Sequence, residues 1–217
     1  MHPVLKELVT VKAGQANLEG MLELPDKPLG VVLFAHGSGS SRLSPRNVYV
    51  ADQLCRAGVG TLLIDLLTQQ EDRIAQSRFD IALLTDRLSA VIAWLRRHDS
   101  TRSLPIGLFG ASTGGAAALQ AAASNDADIA AVVSRGGRPD MAGQNALEKV
   151  RAPTLLIVGG RDDAVIRLNR AAFSVLRCEK RLDIIPHATH LFEEPGTLEA
   201  VAALAAQWFG RHLPASR

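Results

Sequence analysis

Short apolar runs alternate with longer amphipathic segments, and this alternation constrains the fold more than any other feature of the chain. Runs of strand length fall at residues 8–12, 18–24, 30–35, 61–64, 105–109, 129–134, 154–158 and 181–185. Helical spacing is found at residues 48–57, 81–97, 114–123, 167–176 and 195–209, with Pro195 placed to start the last helix. This order predicts an α/β fold, a mostly parallel sheet with helices on both faces.

The spacing of these elements predicts one domain over residues 1–217. The chain contains no repeat and no stretch of Pro, Gly and Ser long enough to act as a linker. The polar residues 66–78 are read as an exposed loop or a short helix. About 20 residues separate the strands predicted at 129–134 and 154–158, too few for a helical lid, so we expect no lid domain.

Composition narrows the class of protein further. The 217 residues carry 24 basic and 22 acidic side chains, a formal charge of +2, and 47% are apolar. These values exclude a disordered chain and argue against a nucleic-acid partner. No apolar run reaches the ~18–20 residues of a membrane span, and the N-terminus has no signal-peptide pattern. With only Cys55 and Cys178, we expect no disulfide framework, no metal and a cytoplasmic location.

Residues 110–114, Gly-Ala-Ser-Thr-Gly, lie directly between a predicted strand and a predicted helix. This is the G-x-S-x-G pattern of a nucleophile elbow in the context that supports it. A strand that turns into a helix within one residue holds that residue at strained backbone angles and exposes its side chain. Ser112 is therefore the candidate nucleophile, and a packing serine in a tight turn is the alternative.

A serine nucleophile needs a base and an acid that orients the base. Asp162 and Asp163 follow the predicted strand 154–158, and we choose Asp162 as the acid. His187 and His190 follow the strand 181–185, and we choose His190 as the base. The remaining histidines suit this role less well because of their positions: His2, His36, His98 and His212. Of these, His36 is expected to brace the neighbouring loop.

Two backbone amides are expected to form an oxyanion hole. Thr113 follows the nucleophile directly, and its amide is the first donor. Residues 36–39, His-Gly-Ser-Gly, follow the strand 30–35, and the second donor is assigned to the Ser38 amide. An ordinary glycine turn is the alternative for this loop.

Taken together, these motifs resemble the α/β-hydrolase fold and, within it, the dienelactone-hydrolase-like group. The resemblance spans about residues 4–209 and implies an eight-stranded sheet whose second strand is antiparallel. Residues 37–47 and 134–140 resemble a small bacterial hydrolase group, members of which are also found joined to phosphoribosyltransferase-like domains. Dienelactone hydrolase itself is expected to use cysteine as the nucleophile. This chain has Ser112 there, which favours a general serine esterase.

Four arginines fall in loops expected at the active edge of the sheet: Arg42, Arg46, Arg135 and Arg138. An arginine fork can bind a carboxylate or phosphate through two hydrogen bonds. One or two of them are therefore hypothesised to hold an acidic group of a small-molecule substrate. Solvation, or pairing with a carboxylate such as Asp65 or Asp140, is the alternative.

The sequence thus predicts a serine hydrolase that cleaves a small carboxylic ester or lactone through an acyl-enzyme, without a cofactor. A thioesterase or acyl transferase would use the same residues. A non-catalytic binding module that keeps the fold is a third hypothesis, because function follows from the site and not from the fold. A homodimer is also considered.

Overall fold

The computed structural model describes residues 4–124 and 128–213. The strands are β1 (Leu5–Ala13), β2 (Ala16–Leu24), β3 (Val31–Ala35), β4 (Gly60–Ile64), β5 (Ile106–Ala111), β6 (Ala131–Arg135), β7 (Thr154–Gly159) and β8 (Lys180–Ile185). The helices are α1 (Pro45–Arg56), α2 (Gln69–Asp72), α3 (Ala75–Phe79), α4 (Ile81–Leu95), α5 (Thr113–Ala122), α6 (Gln144–Lys149), α7 (Asp163–Val175) and α8 (Thr197–His212).

All eight strands form one sheet in the order β1-β2-β4-β3-β5-β6-β7-β8. The strand β2 pairs antiparallel with both β1 and β4, whereas β3 to β8 are parallel to one another. This arrangement confirms the predicted α/β fold and its antiparallel second strand. Because parallel strands share one direction, the carboxyl ends of β3, β5, β6, β7 and β8 meet at one edge.

An apolar core lies on each face of the sheet, which is why the parallel strands read as continuous apolar runs. One core packs α4, α5 and Ala172 of α7 against the sheet. The other packs α1 and α8 against the opposite face, around side chains such as Phe34, Phe109 and Trp208. The predicted helices on both faces are therefore present.

Three helices begin two or more residues away from the predicted position. Helix α1 starts earlier, at Pro45, where proline is tolerated because the first helical amides lack partners. Helix α7 also starts earlier, at Asp163. Helix α8 starts later, at Thr197, so Pro195 does not begin it. The cause is Gly196, whose φ of 81° is left-handed and cannot continue a helix.

The polar stretch 66–78 contains the short helix α2 and all but the last residue of α3. Thr68 and Glu71 form a reciprocal capping box at the start of α2. The connection between β6 and β7 contains only a 3-10 turn (Pro139–Ala142) and α6, so it carries no lid domain. Within the described ranges, no helix has the length and hydrophobicity needed to cross a membrane.

Candidate active site

Ser112 is the single residue between β5 and α5, and its backbone is left-handed, with φ of 50° and ψ of −120°. Side chains other than glycine rarely adopt this region because of steric strain. The Ser112 amide donates to the Arg135 carbonyl oxygen at 3.2 Å, and its carbonyl oxygen accepts from the Arg138 amide at 3.1 Å. The neighbouring strand and its loop therefore hold the strained residue from both sides.

Glycines let the backbone segments around Ser112 approach closely. A side-chain carbon at Gly114 would lie 2.0 Å from the Ala35 carbonyl oxygen, and one at Gly110 would lie 2.5 Å from the Gly114 oxygen. One at Gly37 would lie 2.9 Å from Ser112 Cβ. Any larger residue would push these segments apart. The loop after β3 therefore contacts the candidate nucleophile directly.

Asp162 and His190 are hydrogen-bonded although 28 positions separate them along the chain. His190 Nδ1 lies 2.6 Å from Asp162 Oδ2. Asp162 follows β7 and precedes α7, and His190 lies in the loop after β8. A carboxylate at Nδ1 fixes the proton on that nitrogen, so the other ring nitrogen, Nε2, is the one that can accept a proton.

The two loops that carry this pair are joined through their backbones. The Arg161 amide donates to the Ala188 carbonyl oxygen at 2.9 Å. A side-chain carbon at Gly159 would lie 2.5 Å from that same oxygen. The Glu194 carboxylate accepts from the Thr189 amide at 3.1 Å, and this bond lowers the pKa of Glu194. These contacts fix the His190 loop in place.

The His190 ring and Ser112 are linked through residues 135 and 136. Gly136 has a φ of 52°, and a side-chain carbon there would lie 3.4 Å from His190 Cε1. The ring therefore packs one residue away from the carbonyl that holds the Ser112 amide. Within the described ranges, the His190 ring bonds only to Asp162, and the half-exposed Ser112 hydroxyl is unbonded. Bonds between nucleophile and base commonly tighten only when substrate binds.

The alternative acid and bases lie elsewhere. Asp163 is exposed as the first residue of α7, and His187 is exposed. The buried His36 accepts a hydrogen bond from the Leu66 amide at Nε2, and its Nδ1 lies 3.1 Å from the Gly37 oxygen. His36 thus braces the loop after β3, as the sequence predicts. His98 and His212 lie near Glu7 and Glu179, whereas His2 lies outside the described residues.

The two amides assigned to the oxyanion hole differ in what they contact. Thr113 is the first residue of α5, so its amide has no carbonyl one turn earlier in the helix to donate to. The Ser38 amide donates to the Thr113 hydroxyl at 3.1 Å. The two residues are therefore adjacent, and the Ser38 donor is held by a side chain in this structure.

Three of the four candidate arginines are paired with carboxylates: Arg42, Arg46 and Arg138. Arg42 binds Asp65 through both its amide and its guanidinium, and Nη2 lies 2.8 Å from Glu19 Oε2. Arg138 makes two bonds to Asp140, at 2.9 and 2.7 Å. For Arg42 and Arg138, pairing with a carboxylate, the alternative to substrate binding, fits the structure better.

Arg135 is different, because it is 9% exposed and makes no ion pair with any described residue. Within the described ranges its Nε and Nη1 have no hydrogen-bond partner. Its guanidinium carbon lies 6.0 Å from the centre of the Phe192 ring. Burial, aided by the charge of Arg46, lowers the pKa of Arg135 to about 10, so it is charged at neutral pH. Arg46 itself bonds to the exposed Glu193 at 3.0 Å.

A surface cavity of about 220 Å³ adjoins the loop after β3, between His36, Arg42 and Leu67. A larger cavity, about 730 Å³, is lined by residues such as Ala123 and Arg151. Those residues lie at the opposite edge of the sheet, away from Ser112. No group of three His, Cys, Asp or Glu residues in the described part of the chain is placed to hold a metal ion.

Comparisons with known proteins agree with this architecture. A family model described as an alpha/beta hydrolase domain matches residues 28–204. The crystal structure of a dienelactone hydrolase from Anabaena variabilis is 55% identical and superposes with a TM-score of 0.93, covering 98% of this chain and all of that one. Est1E from Butyrivibrio proteoclasticus has a TM-score of 0.81 over 94% of this chain and 98% of its own. At 18% identity, it shows the fold alone.

A longer curated relative is equally similar in sequence. A protein of Mycobacterium tuberculosis strain H37Rv, which carries the provisional name phosphoribosyl transferase, is 56% identical over 211 residues. The match covers 97% of this chain but 47% of that protein. The chain thus spans about half the length of the curated relatives it matches, and their name describes chains about twice as long.

Proposed function

The chain belongs to the α/β-hydrolase family, in its dienelactone-hydrolase-like group, and we propose that it is a serine hydrolase that cleaves a small carboxylic ester or lactone. One observation carries the proposal: the 2.6 Å bond between His190 Nδ1 and Asp162 lies at the same sheet edge as the left-handed Ser112. A histidine oriented in this way and a serine hydroxyl that solvent can reach are the parts that acyl transfer needs.

In the acylation step, the Ser112 hydroxyl oxygen attacks the carbonyl carbon of the ester. His190 Nε2 accepts the hydroxyl proton, and Asp162 stabilises the imidazolium that forms. When the tetrahedral intermediate collapses, the bond to the leaving alcohol breaks and His190 returns the proton to that oxygen. The acyl group remains on Ser112 as an ester.

The negative charge of the tetrahedral intermediate needs donors that are already in position. The Thr113 amide is one, since it lies at the N-terminus of α5, where the helix dipole also favours negative charge. The Ser38 amide is the second, and it must exchange its bond to the Thr113 hydroxyl for one to the oxyanion. The loss of that bond is offset by a stronger, charge-assisted one.

In the second half of the reaction, His190 takes a proton from water and the resulting hydroxide attacks the acyl-enzyme. Collapse of the second intermediate releases the carboxylic acid, and His190 returns the proton to Ser112. The same atoms would serve a thioester, with sulfur as the leaving atom.

A fluorophosphonate probe tests the proposal directly, because it reacts with an activated serine and not with a serine that only packs in a turn. We expect a covalent adduct on Ser112 by peptide mapping and none in the Ser112→Ala variant. Labelling should also fall strongly in His190→Ala. A folded protein that gives no adduct would instead indicate a binding module.

The turnover rate measures how much Ser112 and His190 contribute to catalysis. Ser112→Ala and His190→Ala are each expected to lower kcat for a p-nitrophenyl ester by ~10³-fold or more, since each removes an essential part of one unit. The double variant should lose little beyond either single variant. Turnover near that of the unmodified chain in either single variant would contradict the mechanism.

A further inference from the structure

The carboxyl edge of the sheet contains a buried positive charge that has no counter-charge among the described residues. The proposed ester hydrolysis does not use it. Arg135 is the last residue of β6, is 9% exposed, and leaves Nε and Nη1 unpaired within the described ranges. Taking an ion out of water costs several kcal/mol unless a partner replaces the lost hydration. Arg42 and Arg138 have carboxylate partners, but Arg135 does not.

The position of Arg135 in β6 places it between two elements of the site. Side chains alternate along a strand, so Arg135 lies on the same face as Ala131 and Val133, which pack in the core with α1 and α8. Phe192, from the loop that carries His190, lies against its guanidinium. Arg46, in the first turn of α1, is close enough for its charge to act on Arg135.

The N-terminus of α1 adds to the positive potential there. Ser44 precedes the helix but makes no side-chain cap, and the first turn holds no acidic residue. Free amides at a helix N-terminus attract anions. The carboxylate near this end, Glu193, is exposed and bonds to Arg46. The buried Asn47 has an Oδ1 without a hydrogen-bond partner in the described part of the chain.

We propose that Arg135, assisted by Arg46 and the N-terminus of α1, is an anion subsite that holds a carboxylate or phosphate group of the substrate beside Ser112. This inference rests on the proposed function and narrows its substrate class to esters and lactones of acidic compounds. The Ser112 amide donates to the Arg135 carbonyl oxygen at 3.2 Å, so the Arg135 side chain starts from a residue in direct contact with the candidate nucleophile. The substrate would supply the counter-charge that the described residues do not provide.

A purely structural role makes different predictions. Arg135 could bond through water to Asn47 Oδ1 and hold α1 against the sheet. Its replacement by methionine would then lower the free energy of unfolding and affect all esters alike. If the charge is kept for a ligand, Arg135→Met should unfold at no lower denaturant concentration, since replacing a buried unpaired charge with an apolar side chain is neutral or stabilising.

Two matched pairs of esters test the subsite kinetically. Mono-p-nitrophenyl succinate and its methyl ester place or remove a carboxylate on the acyl side. The compounds 4-acetoxybenzoate and methyl 4-acetoxybenzoate do so on the leaving-group side. For at least one pair, we expect the ratio of kcat/KM, anionic over neutral, to fall about 10- to 100-fold in Arg135→Met, the worth of a charge-assisted hydrogen bond.

Arg135→Lys should recover part of the ratio because it keeps the charge. Arg102→Met is the control for total charge, since Arg102 is exposed and precedes β5 at the other edge of the sheet. The Arg102→Met variant should leave the anionic-to-neutral ratio of kcat/KM unchanged for both pairs of esters. Ratios unchanged by Arg135→Met in both pairs would overturn the proposal.

Binding separates a failure of the subsite from a failure of the hydrolase proposal. In the Ser112→Ala background, succinate and inorganic phosphate at constant ionic strength should raise the Tm. The gain should disappear on adding Arg135→Met. A Tm gain without ester hydrolysis would keep the subsite and reject the hydrolase. Hydrolysis without an Arg135-dependent gain would reject the subsite alone.

Discussion

Two adjacent carboxylates illustrate how the environment separates the roles of identical side chains. Asp162 is half-buried and bonds to His190, whereas Asp163 is exposed in the first turn of α7. There a negative charge interacts favourably with the helix dipole, worth a few tenths of a kcal/mol. One position along the chain thus separates a proposed catalytic contact from a weak stabilising one.

Asp162→Asn and Asp163→Asn form a matched test of this difference. Asparagine at 162 keeps the size of the side chain but removes the charge that fixes the Nδ1 proton. We expect kcat to fall ~10³- to 10⁴-fold. In Asp163→Asn, kcat should stay within about twofold of the unmodified value, since the lost interaction with the helix dipole does not affect His190. Steady-state kinetics on one p-nitrophenyl ester measures both, and similar losses in the two variants would contradict the assignment.

At this scale, the sequence predicts residue types and their order but not their partners. Asp162 and His190 could be chosen because strand ends converge at one edge. Which of Arg42 and Arg135 has a carboxylate partner could not be predicted, because the answer depends on carboxylates that other elements place nearby. Asp65 and Glu19 come to Arg42 from the end of β4 and from β2. Pairing of this kind is settled by three-dimensional contacts.

At the level of elements, the turn from β5 into α5 leaves no room for side chains. The closest approach is at Gly114, which faces the backbone of β3. Helix α8 provides the contrast, since a side-chain carbon at Gly210 would meet nothing within 4 Å. Close packing therefore requires glycine at position 114, whereas nothing in the structure requires it at position 210, although both residues lie in helices.

Substitution by alanine should consequently have opposite effects at the two positions. Gly114→Ala is expected to destabilise the fold by about 3 kcal/mol, because the backbone of β3 must move. Gly210→Ala should stabilise it by ~0.5–1 kcal/mol, the difference in helix propensity. Guanidinium denaturation followed by circular dichroism measures both. A destabilised Gly210→Ala would show that this helix face is constrained by contacts that the structure does not contain.

The interiors of the elements were easier to predict than their ends. All eight strands and the five longer helices follow from apolar periodicity, since burial on one or both faces imposes it. Their ends depend on single backbone conformations, such as the left-handed Gly196 that delays α8. The short α2 lacks a buried face, and its Glu71 also bonds to Arg87 of α4. A contact of that kind leaves no periodic signal.

At the scale of the whole molecule, two apolar cores pack against opposite faces of one sheet. Trp94 of α4 packs against one core, and Trp208 of α8 is buried in the other. Each core contains one of the two tryptophans of the chain. Because every central strand contributes side chains to both cores, we propose that residues 1–217 form one domain that unfolds as a unit.

The two tryptophans can report on each core separately. Trp94→Phe leaves only Trp208 to fluoresce, and Trp208→Phe leaves only Trp94. In each variant, the fluorescence transition in guanidinium should have the same midpoint as the far-ultraviolet circular dichroism transition. Midpoints that differ within one variant would mean that the two cores unfold independently.

The short connection between β6 and β7 also determines how substrate concentration should affect the rate. With only a 3-10 turn and six residues of α6 in that connection, no hinged cover has to be displaced by an oil–water boundary. Rates on a short-chain ester such as tributyrin should therefore saturate below its solubility limit and show no jump when droplets form. An abrupt rise at that limit would reveal a moving cover elsewhere in the molecule.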